Sequence, residues 1–373
     1  MKRKFNQEQL VGIASAPGKC IISGEHSVCY NGNCLTFAID KRCYIFLRLV
    51  LNQKESLTVN FINLKTKFEL SFNNLNLYFS SNDKTKYLMD NIVNNHDIAI
   101  TLDVIIQASQ SYLSFINNGM HLSFIIKSEI PIASGLGSSG AFCASLVGLL
   151  YMMKYRYSKN SLRLKFEAQD YPEILLQSRK LEDKFHGKSS GVDTTTSVIG
   201  GFVNYSLTSF ENVLVSEKVS SLVKFILIDS GQMKNTKIAV SLVAKAYVET
   251  DEAKILIDRI KEITNEIIAE LKNPSSENLK KFLSLIRENH AILKELKLST
   301  EEIESIIQMM NDHGCSCKIT GAGLGGNILV VMPKSLDESL ITQQLEKMKA
   351  QGVIKNYLFS NISTKGLEYG FHS

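Results

Sequence analysis

The stretch Pro131-Ile-Ala-Ser-Gly-Leu-Gly-Ser-Ser-Gly140 decides how this chain is read. It lies between a β-rich run, His121 to Lys127, and a long Ala-, Leu- and Val-rich segment from Ser138 to about Tyr155 that has helical character. Glycines let a backbone bend until several N–H groups point at one anion, and the dipole of a following helix adds about half a positive charge there. The loop therefore reads as a phosphate cradle; the competing reading is a flexible loop capped by Ser138 or Ser139. Gly135, Gly137 and Gly140 also satisfy GxGxxG, but a dinucleotide fold needs a strand directly before the loop and an acid about 20 residues beyond it. Pro131 intervenes, Tyr151 to Ser161 holds no acid, and no Gly-Lys-Ser/Thr completes a Walker loop. Hydride transfer and P-loop chemistry are both disfavoured.

Outward from this loop the chain alternates strand and helix signals. Gly12 to Val50 opens with β structure, in which Cys43 to Val50 reads as a strand. Ser56 to Phe79 predicts an outlying hairpin, and the asparagine-rich tract from Asn73 to Asn95 predicts a loop. Asp97 to Asn117 carries Ile and Leu at helical spacing. Asp170 as N-cap, with Pro172 and Glu173 following, starts another helix. Phe202 to Leu207 and Val223 to Ile228 read as strands, and a boundary near residue 220 divides domain 1–220 from domain 221–373. In the second half Leu256, Ile260, Ile263, Ile267 and Leu271 share a helix face that Pro274 ends, and a further helix spans about Glu277 to Leu296. Ser299 and Glu302 form a capping box for Glu301 to Asp312; a strand then enters the loop at Gly321, and Asn327 to Met332 is the last recognisable strand.

Composition narrows the function classes. A length of 373 residues suggests two domains, and 44% hydrophobic against 21% charged residues supplies packed cores for both. The 42 Lys and Arg against 37 Asp and Glu leave only +5, with no basic arm, so nucleic acid is not an expected partner. The longest apolar run, Ala141 to Met153, falls short of the roughly 20 residues a bilayer demands, so no membrane span is expected. Seven cysteines without CxxC spacing read as reduced thiols in a cytoplasmic setting, and polar Asn6 to Gln9 stand where a signal peptide needs its apolar core. The histidines lack zinc-site spacing.

Two further clusters lie upstream, Ala14-Ser-Ala-Pro-Gly-Lys19 and Gly24-Glu25-His26, and two downstream, Phe185-His-Gly-Lys-Ser-Ser-Gly-Val-Asp193 and Thr320-Gly-Ala-Gly-Leu-Gly-Gly326. With the Pro131 loop, in this order and spacing over about residues 12 to 330, they resemble the GHMP small-molecule kinases, most closely the members that phosphorylate mevalonate. The resemblance implies an α+β, two-domain GHMP kinase fold. Its N-terminal domain would be like ribosomal protein S5 domain 2 and its C-terminal domain ferredoxin-like, with the chain end returning to the first.

The resemblance also implies ATP as co-substrate, its phosphates wrapped by Ala133, Ser134, Gly135, Leu136, Gly137, Ser138 and Ser139. Lys19 would contact both nucleotide and chemistry, with Asn63 and Ser128 as further nucleotide contacts. Ser139 and Glu182 would hold Mg²⁺, a donor set of hydroxyl and carboxylate that suits an ion keeping phosphate oxygens and waters. Without the resemblance, Glu182 equally reads as an ion-pair partner of Lys184 or Arg179, and Asp193, ahead of three threonines, as a turn or N-cap residue. With it, Asp193 corresponds to the base that takes the substrate proton, with Lys19 beside it, while His26, Glu25 and Thr236 lie near substrate. Glu25 is also expected to order its loop and Lys19.

The implied partners are ATP and mevalonate, phosphorylated on its 5-hydroxyl, with a second copy of the chain, in a homodimer, as a further candidate partner. Phosphomevalonate kinase, mevalonate 3-kinase, galactokinase and a non-catalytic metabolite sensor are the alternatives. Galactokinases usually continue GEH with Thr-Asp-Tyr, whereas this chain continues Ser27-Val28-Cys29. Two positions depart from the family pattern: Ser189 replaces the usual Pro, and Leu324 replaces a Gly, where altered nucleotide affinity is expected.

Overall fold

A computed structural model of the protein describes residues 9–114, 119–131, 134–159, 163, 165–213 and 218–370. Its first sheet is built on two long strands, β1 (Gln9–Ser23) and β2 (Cys34–Leu51), paired antiparallel from Gln9↔Val50 to Ser23↔Leu35. The register shifts between Pro17 and Lys19, where proline has no N–H to give the ladder and Gly18 lets β1 approach the Leu136 carbonyl. β3 (Ser56–Phe61), β4 (Thr66–Leu70) and β5 (Met120–Ser128) extend the sheet in the order β1-β2-β5-β3-β4. β6 (Phe202–Tyr205) and β7 (Phe210–Val213) continue from the other end of β2. β3 runs parallel to β5, which requires a crossover, supplied by α1 (Phe72–Ser80), α2 (Lys84–Asn91) and α3 (His96–Leu113).

The expected hairpin ends at Leu70, and the asparagine tract expected to be loop forms α1 and α2 instead. Two caps and a few buried side chains outweigh the polar composition. Ser71 and Asp83 accept from the Asn74 and Lys86 N–H groups, and Leu75, Tyr78 and Leu88 are buried while Asn73 and Asn76 face out. The helix at the Gly-rich loop, α4 (Ser138–Lys159), packs on β1 and β2 and against α5 (Tyr171–His186) and α6 (Val192–Ile199). Ala141, Ala144, Leu146, Val147, Leu149 and Leu150 are wholly buried in it, each large one contributing about 1.5–3 kcal/mol over an exposed position. Asp170 stands at the N-cap position of α5 but makes no capping bond there. Its carboxylate is held by Arg163 at 2.5 Å, Tyr151 at 2.8 Å and the Glu167 N–H at 2.7 Å.

After α7 (Lys218–Leu222), the second sheet comprises β8 (Val223–Asp229), β9 (Ser316–Ile319), β10 (Asn327–Pro333) and β11 (Asn356–Ser360). Its order is β11-β8-β10-β9 with every neighbouring pair antiparallel. Helices α8 (Thr236–Glu249), α9 (Asp251–Lys272), α10 (Ser276–Glu295) and α11 (Glu301–Asp312) join β8 to β9, and α12 (Glu338–Ala350) joins β10 to β11. The resulting β-α-β-β-α-β order is the ferredoxin-like arrangement expected above. α11 is capped by Thr300, whose hydroxyl accepts from the Ile303 N–H, and not by Ser299 as expected; Thr300 is the residue that adopts the extended N-cap conformation. The chain end returns to the first sheet as β12 (Glu368–Gly370), paired antiparallel with β1. Buried Arg42 fastens it by donating to the Ser15 and Gly366 carbonyls at 2.8 and 2.6 Å. The two sheets share one apolar core, in which the rings of Phe37 and Phe225 lie 4.6 Å apart.

Candidate active site

β1 carries Lys19 into the interior immediately after its irregularity. The side chain is 4% exposed, and Nζ lies 3.1 Å from Asp193 Oδ1 and donates to the Gly135 carbonyl at 3.3 Å. Burial opposes the ammonium charge, but the charge and hydrogen bond of Asp193 outweigh it and hold Lys19 above the ordinary lysine value. The Lys19 N–H donates to the Leu136 carbonyl at 2.9 Å, so strand and Gly-rich loop are joined through backbone as well. Gly137, at φ 73°, permits this approach: a Cβ there would stand 2.9 Å from Lys19 Cγ.

Asp193 is the second residue of α6, whose N-cap Gly191 is left-handed. A Cβ at Gly140 would lie 2.8 Å from both the backbone C and the Cβ of Asp193, so that glycine lets the N-terminal turns of α4 and α6 meet. Two positive helix ends and Lys19 thus converge beside one carboxylate with 28% side-chain exposure, where an acceptor molecule can reach it.

Ser139 and Glu182 are also brought together. The Ser139 hydroxyl donates to Glu182 Oε1 at 3.2 Å and lies 3.0 Å from His186 Nε2; Ser189 donates to Glu182 Oε2 at 2.6 Å. Glu182 is 1% exposed, and burial followed by the nearby Asp193 charge pushes its carboxyl up to about 8. A hydroxyl and a carboxylate oxygen facing each other form a hard-oxygen pair fit for Mg²⁺. Among the described residues no cluster of three or more His, Cys, Asp or Glu offers an all-protein metal cage.

The remaining expected residues divide. Ser134 is buried, donates to the Pro131 carbonyl at 2.8 Å and receives the Asn327 amide on its own carbonyl at 2.5 Å; Leu136 is buried and Ser138 opens α4. Ala133 lies outside the described residues. Asn63 and Ser128 bind each other through both backbone groups of Ser128, at 2.7 and 2.8 Å, so their polar groups extend the β3–β5 edge. His26 is buried in a left-handed conformation, φ 61°, and its Nε2–H donates to the Ala322 carbonyl of the third Gly-rich loop at 2.9 Å. Such a φ costs a non-glycine residue roughly 1–3 kcal/mol. Glu25 is ordered by Lys318 of β9 and not by Lys19: the two form a hydrogen-bonded ion pair with 0% and 1% side-chain exposure. Its other oxygen, Oε2, has no hydrogen-bond partner among the described residues. Thr236 begins α8 and is exposed.

Two lysines were missed by the sequence reading. Lys234 reaches between two loops, its Nζ 2.9 Å from where a Cβ would stand on either Gly135 or Gly321, and burial followed by the Lys19 charge lowers it to about 8. Its position two residues before Thr236, after the turn at Gly231, was a signal available in the sequence. Lys318 was visible as a lone cation in a strand entering a Gly-rich loop. Next to it the Thr320 hydroxyl donates to the Ile21 carbonyl at 3.0 Å and accepts the Ile21 N–H at 3.1 Å, so the second domain is stitched to β1 at the site. Leu324, like His26, has a positive φ of 54°, the physical reason a glycine suits that place.

The chain matches known proteins along most of its length. Residues 100–201 match the model of the GHMP kinases N terminal domain and residues 267–351 that of the GHMP kinases C terminal; residues 2–49 match the galactokinase galactose-binding signature. The chain belongs to the GHMP kinase family, and it is a kinase. Among its relatives is the mevalonate kinase of Pyrococcus abyssi, 30% identical over 329 residues that cover 86% of this chain and 88% of the relative. The fold is that of the Methanococcus jannaschii mevalonate kinase, with TM-score 0.70, 22% identity and coverage of 94% of this chain and 98% of that one. It is equally that of the L. major mevalonate kinase solved with R-mevalonate, with TM-score 0.70, 19% identity and 97% and 99% coverage. No helix among the described residues is long and apolar enough to cross a membrane.

Proposed function

We propose that this kinase transfers the γ-phosphoryl group of ATP to the 5-hydroxyl of (R)-mevalonate, giving 5-phosphomevalonate and ADP for isoprenoid precursor synthesis in the cytoplasm. The Lys19–Asp193 ion pair at 3.1 Å, beside the Gly-rich loop, carries the reading. Asp193 orients the acceptor hydroxyl and takes its proton; Lys19 pairs with that carboxylate and neutralises charge on the phosphoryl group in flight. Because phosphoryl transfer passes through a loose transition state, alignment and neutralisation outweigh proton removal. The N–H groups of residues 134–139 and the α4 N-terminus receive the phosphates, with Lys234 between this loop and Gly321 adding a second cation. Ser139 and Glu182 would hold Mg²⁺, which when bound supplies charge neutralisation to the nucleotide. His26, Glu25 and Thr236 form the acceptor side, and the relatives named as mevalonate kinases support mevalonate as acceptor.

A second acceptor, galactose, is favoured by the signature at residues 2–49. The continuation Ser27-Val28-Cys29 favours mevalonate over it. ATP consumption by the purified protein with Mg²⁺, compared across mevalonate, phosphomevalonate, galactose and homoserine, tests the choice. Turnover with mevalonate well above the other three is expected. Faster turnover with galactose replaces the acceptor, and background rates with all four reject the kinase reaction.

A further inference from the structure

Ser189 stands where the family pattern has proline, and the structure gives each of its polar atoms a partner. Its hydroxyl donates to Glu182 Oε2 at 2.6 Å and accepts the Gly191 N–H at 3.1 Å. Its own N–H donates to Asp183 Oδ1 at 2.6 Å, and its carbonyl accepts from Arg179 Nε at 3.3 Å. Proline has neither the hydroxyl nor the N–H, so three of these four bonds exist only because the residue is not proline.

The arrangement is directional. A hydroxyl has one proton, and receiving Gly191 N–H on its lone pair leaves that proton to Glu182. Oε2 is thereby anchored, while Oε1 is turned to Ser139, its partner in the candidate metal site. Ser189 and Glu182 are buried, at 7% and 1% exposure, so the bond between them is not diluted by solvent. Gly191 is also the N-cap of α6, two residues before Asp193. One serine therefore links the carboxylate proposed to hold the metal to the helix bearing the proposed base.

We propose that Ser189 is a positioning residue that fixes the Glu182 carboxylate for the divalent cation, an inference that rests on the Ser139–Glu182 metal assignment made under Proposed function. It acts through Glu182 and touches no reacting atom.

The test uses Mn²⁺ as probe, its binding followed by electron paramagnetic resonance on the full-length protein with a non-hydrolysable ATP analogue. Partners that orient metal ligands typically change affinity about 10- to 100-fold when removed, so Ser189→Ala should weaken Mn²⁺ about tenfold. Ser189→Thr, which keeps the hydroxyl, should stay within about threefold of wild type. Ser189→Pro should bind at least as weakly as Ser189→Ala. In turnover, the metal concentration for half-maximal rate should rise with Ser189→Ala while kcat at saturating Mg²⁺ recovers. Glu182→Gln separates the two levels of failure. If Glu182→Gln weakens Mn²⁺ and Ser189→Ala leaves it within twofold of wild type, the role of Ser189 is overturned and the metal assignment stands. If Glu182→Gln leaves Mn²⁺ binding unchanged, the metal assignment fails and the inference falls with it.

Discussion

Replacing Asp193 by asparagine keeps the side-chain shape and removes the charge that faces Lys19. At 3.1 Å, two unit charges in an effective dielectric of about 20 attract by about 5 kcal/mol, against which the burial of Lys19 must be set. Removing one partner of a buried pair costs about 3–5 kcal/mol. Asp193 keeps 28% side-chain exposure, so screening places the loss at or below the low end, about 3 kcal/mol or less, and the fold survives. The chemistry suffers more. Loss of a positioned proton acceptor costs about 10²- to 10⁴-fold, equivalent to about 3–5.5 kcal/mol in the barrier. A coupled assay of ADP release should therefore show kcat lowered about 10²- to 10⁴-fold. Calorimetry with an ATP analogue should give a dissociation constant within about threefold of wild type, because Asp193 serves the transition state and not nucleotide binding. A variant that kept kcat within about tenfold of wild type while binding the analogue normally would refute the role given to Asp193.

Three further substitutions probe other parts of the site. Lys234 is lowered to about 8 while its unfolded value is 10.5, so the folded state binds fewer protons between these values. Its burial therefore costs stability below pH 8, by roughly 3 kcal/mol at most, and the deficit is relieved as pH rises toward 10.5. Lys234→Met should accordingly raise the urea midpoint at pH 7 and flatten the rise in stability above pH 8, yet lower kcat/KM about 10²-fold; wild-type kcat/KM should fall as pH passes about 8. A Lys234→Met protein with unchanged midpoint and kcat/KM contradicts both parts. Lys318→Met strands a Glu25 that is 2% exposed and should destabilise by about 3–5 kcal/mol in urea unfolding, while Lys318→Met with Glu25→Met should recover most of the loss; equal losses in both would show that the pair is not the cause. Gly140→Ala places a methyl 2.8 Å from the Asp193 backbone and should cost about 10²-fold in kcat with the far-ultraviolet circular dichroism unchanged; normal kcat would mean that α4 and α6 tolerate separation.

Long apolar periodicities were legible in the sequence because burial writes them directly. The helix of Leu256, Ile260, Ile263 and Ile267 appears as Asp251–Lys272, with each of those isoleucines buried. Elements held by one or two buried side chains were not. α1 depends on Leu75 and Tyr78 within a polar stretch, α8 buries only Ala239 and Val243, and three-residue β12 exists because Arg42 and β1 receive it. In the site, Lys19, Ser139, Glu182 and Asp193 could be placed together by motif order, since three lie in short recognisable strings and Glu182 stands three residues ahead of one. Lys234 and Lys318 could not, because their significance is tertiary: one fills the gap between glycines 186 residues apart in the chain, and the other reaches Glu25 across 293 residues. Asn63 and Ser128 show the converse: once the strands pair, the Asn63 amide binds the Ser128 backbone and the Ser128 hydroxyl binds the Ile130 backbone.

The most direct measurement is the identity of the product formed when the purified protein is incubated with ATP, Mg²⁺ and (R)-mevalonate, read by phosphorus and carbon nuclear magnetic resonance. A phosphate ester on the primary C5 alcohol, formed at a rate that Asp193→Asn lowers about 10²- to 10⁴-fold, is the predicted result. Phosphate on the tertiary C3 oxygen, or no ester while galactose is phosphorylated in a parallel tube, would contradict it.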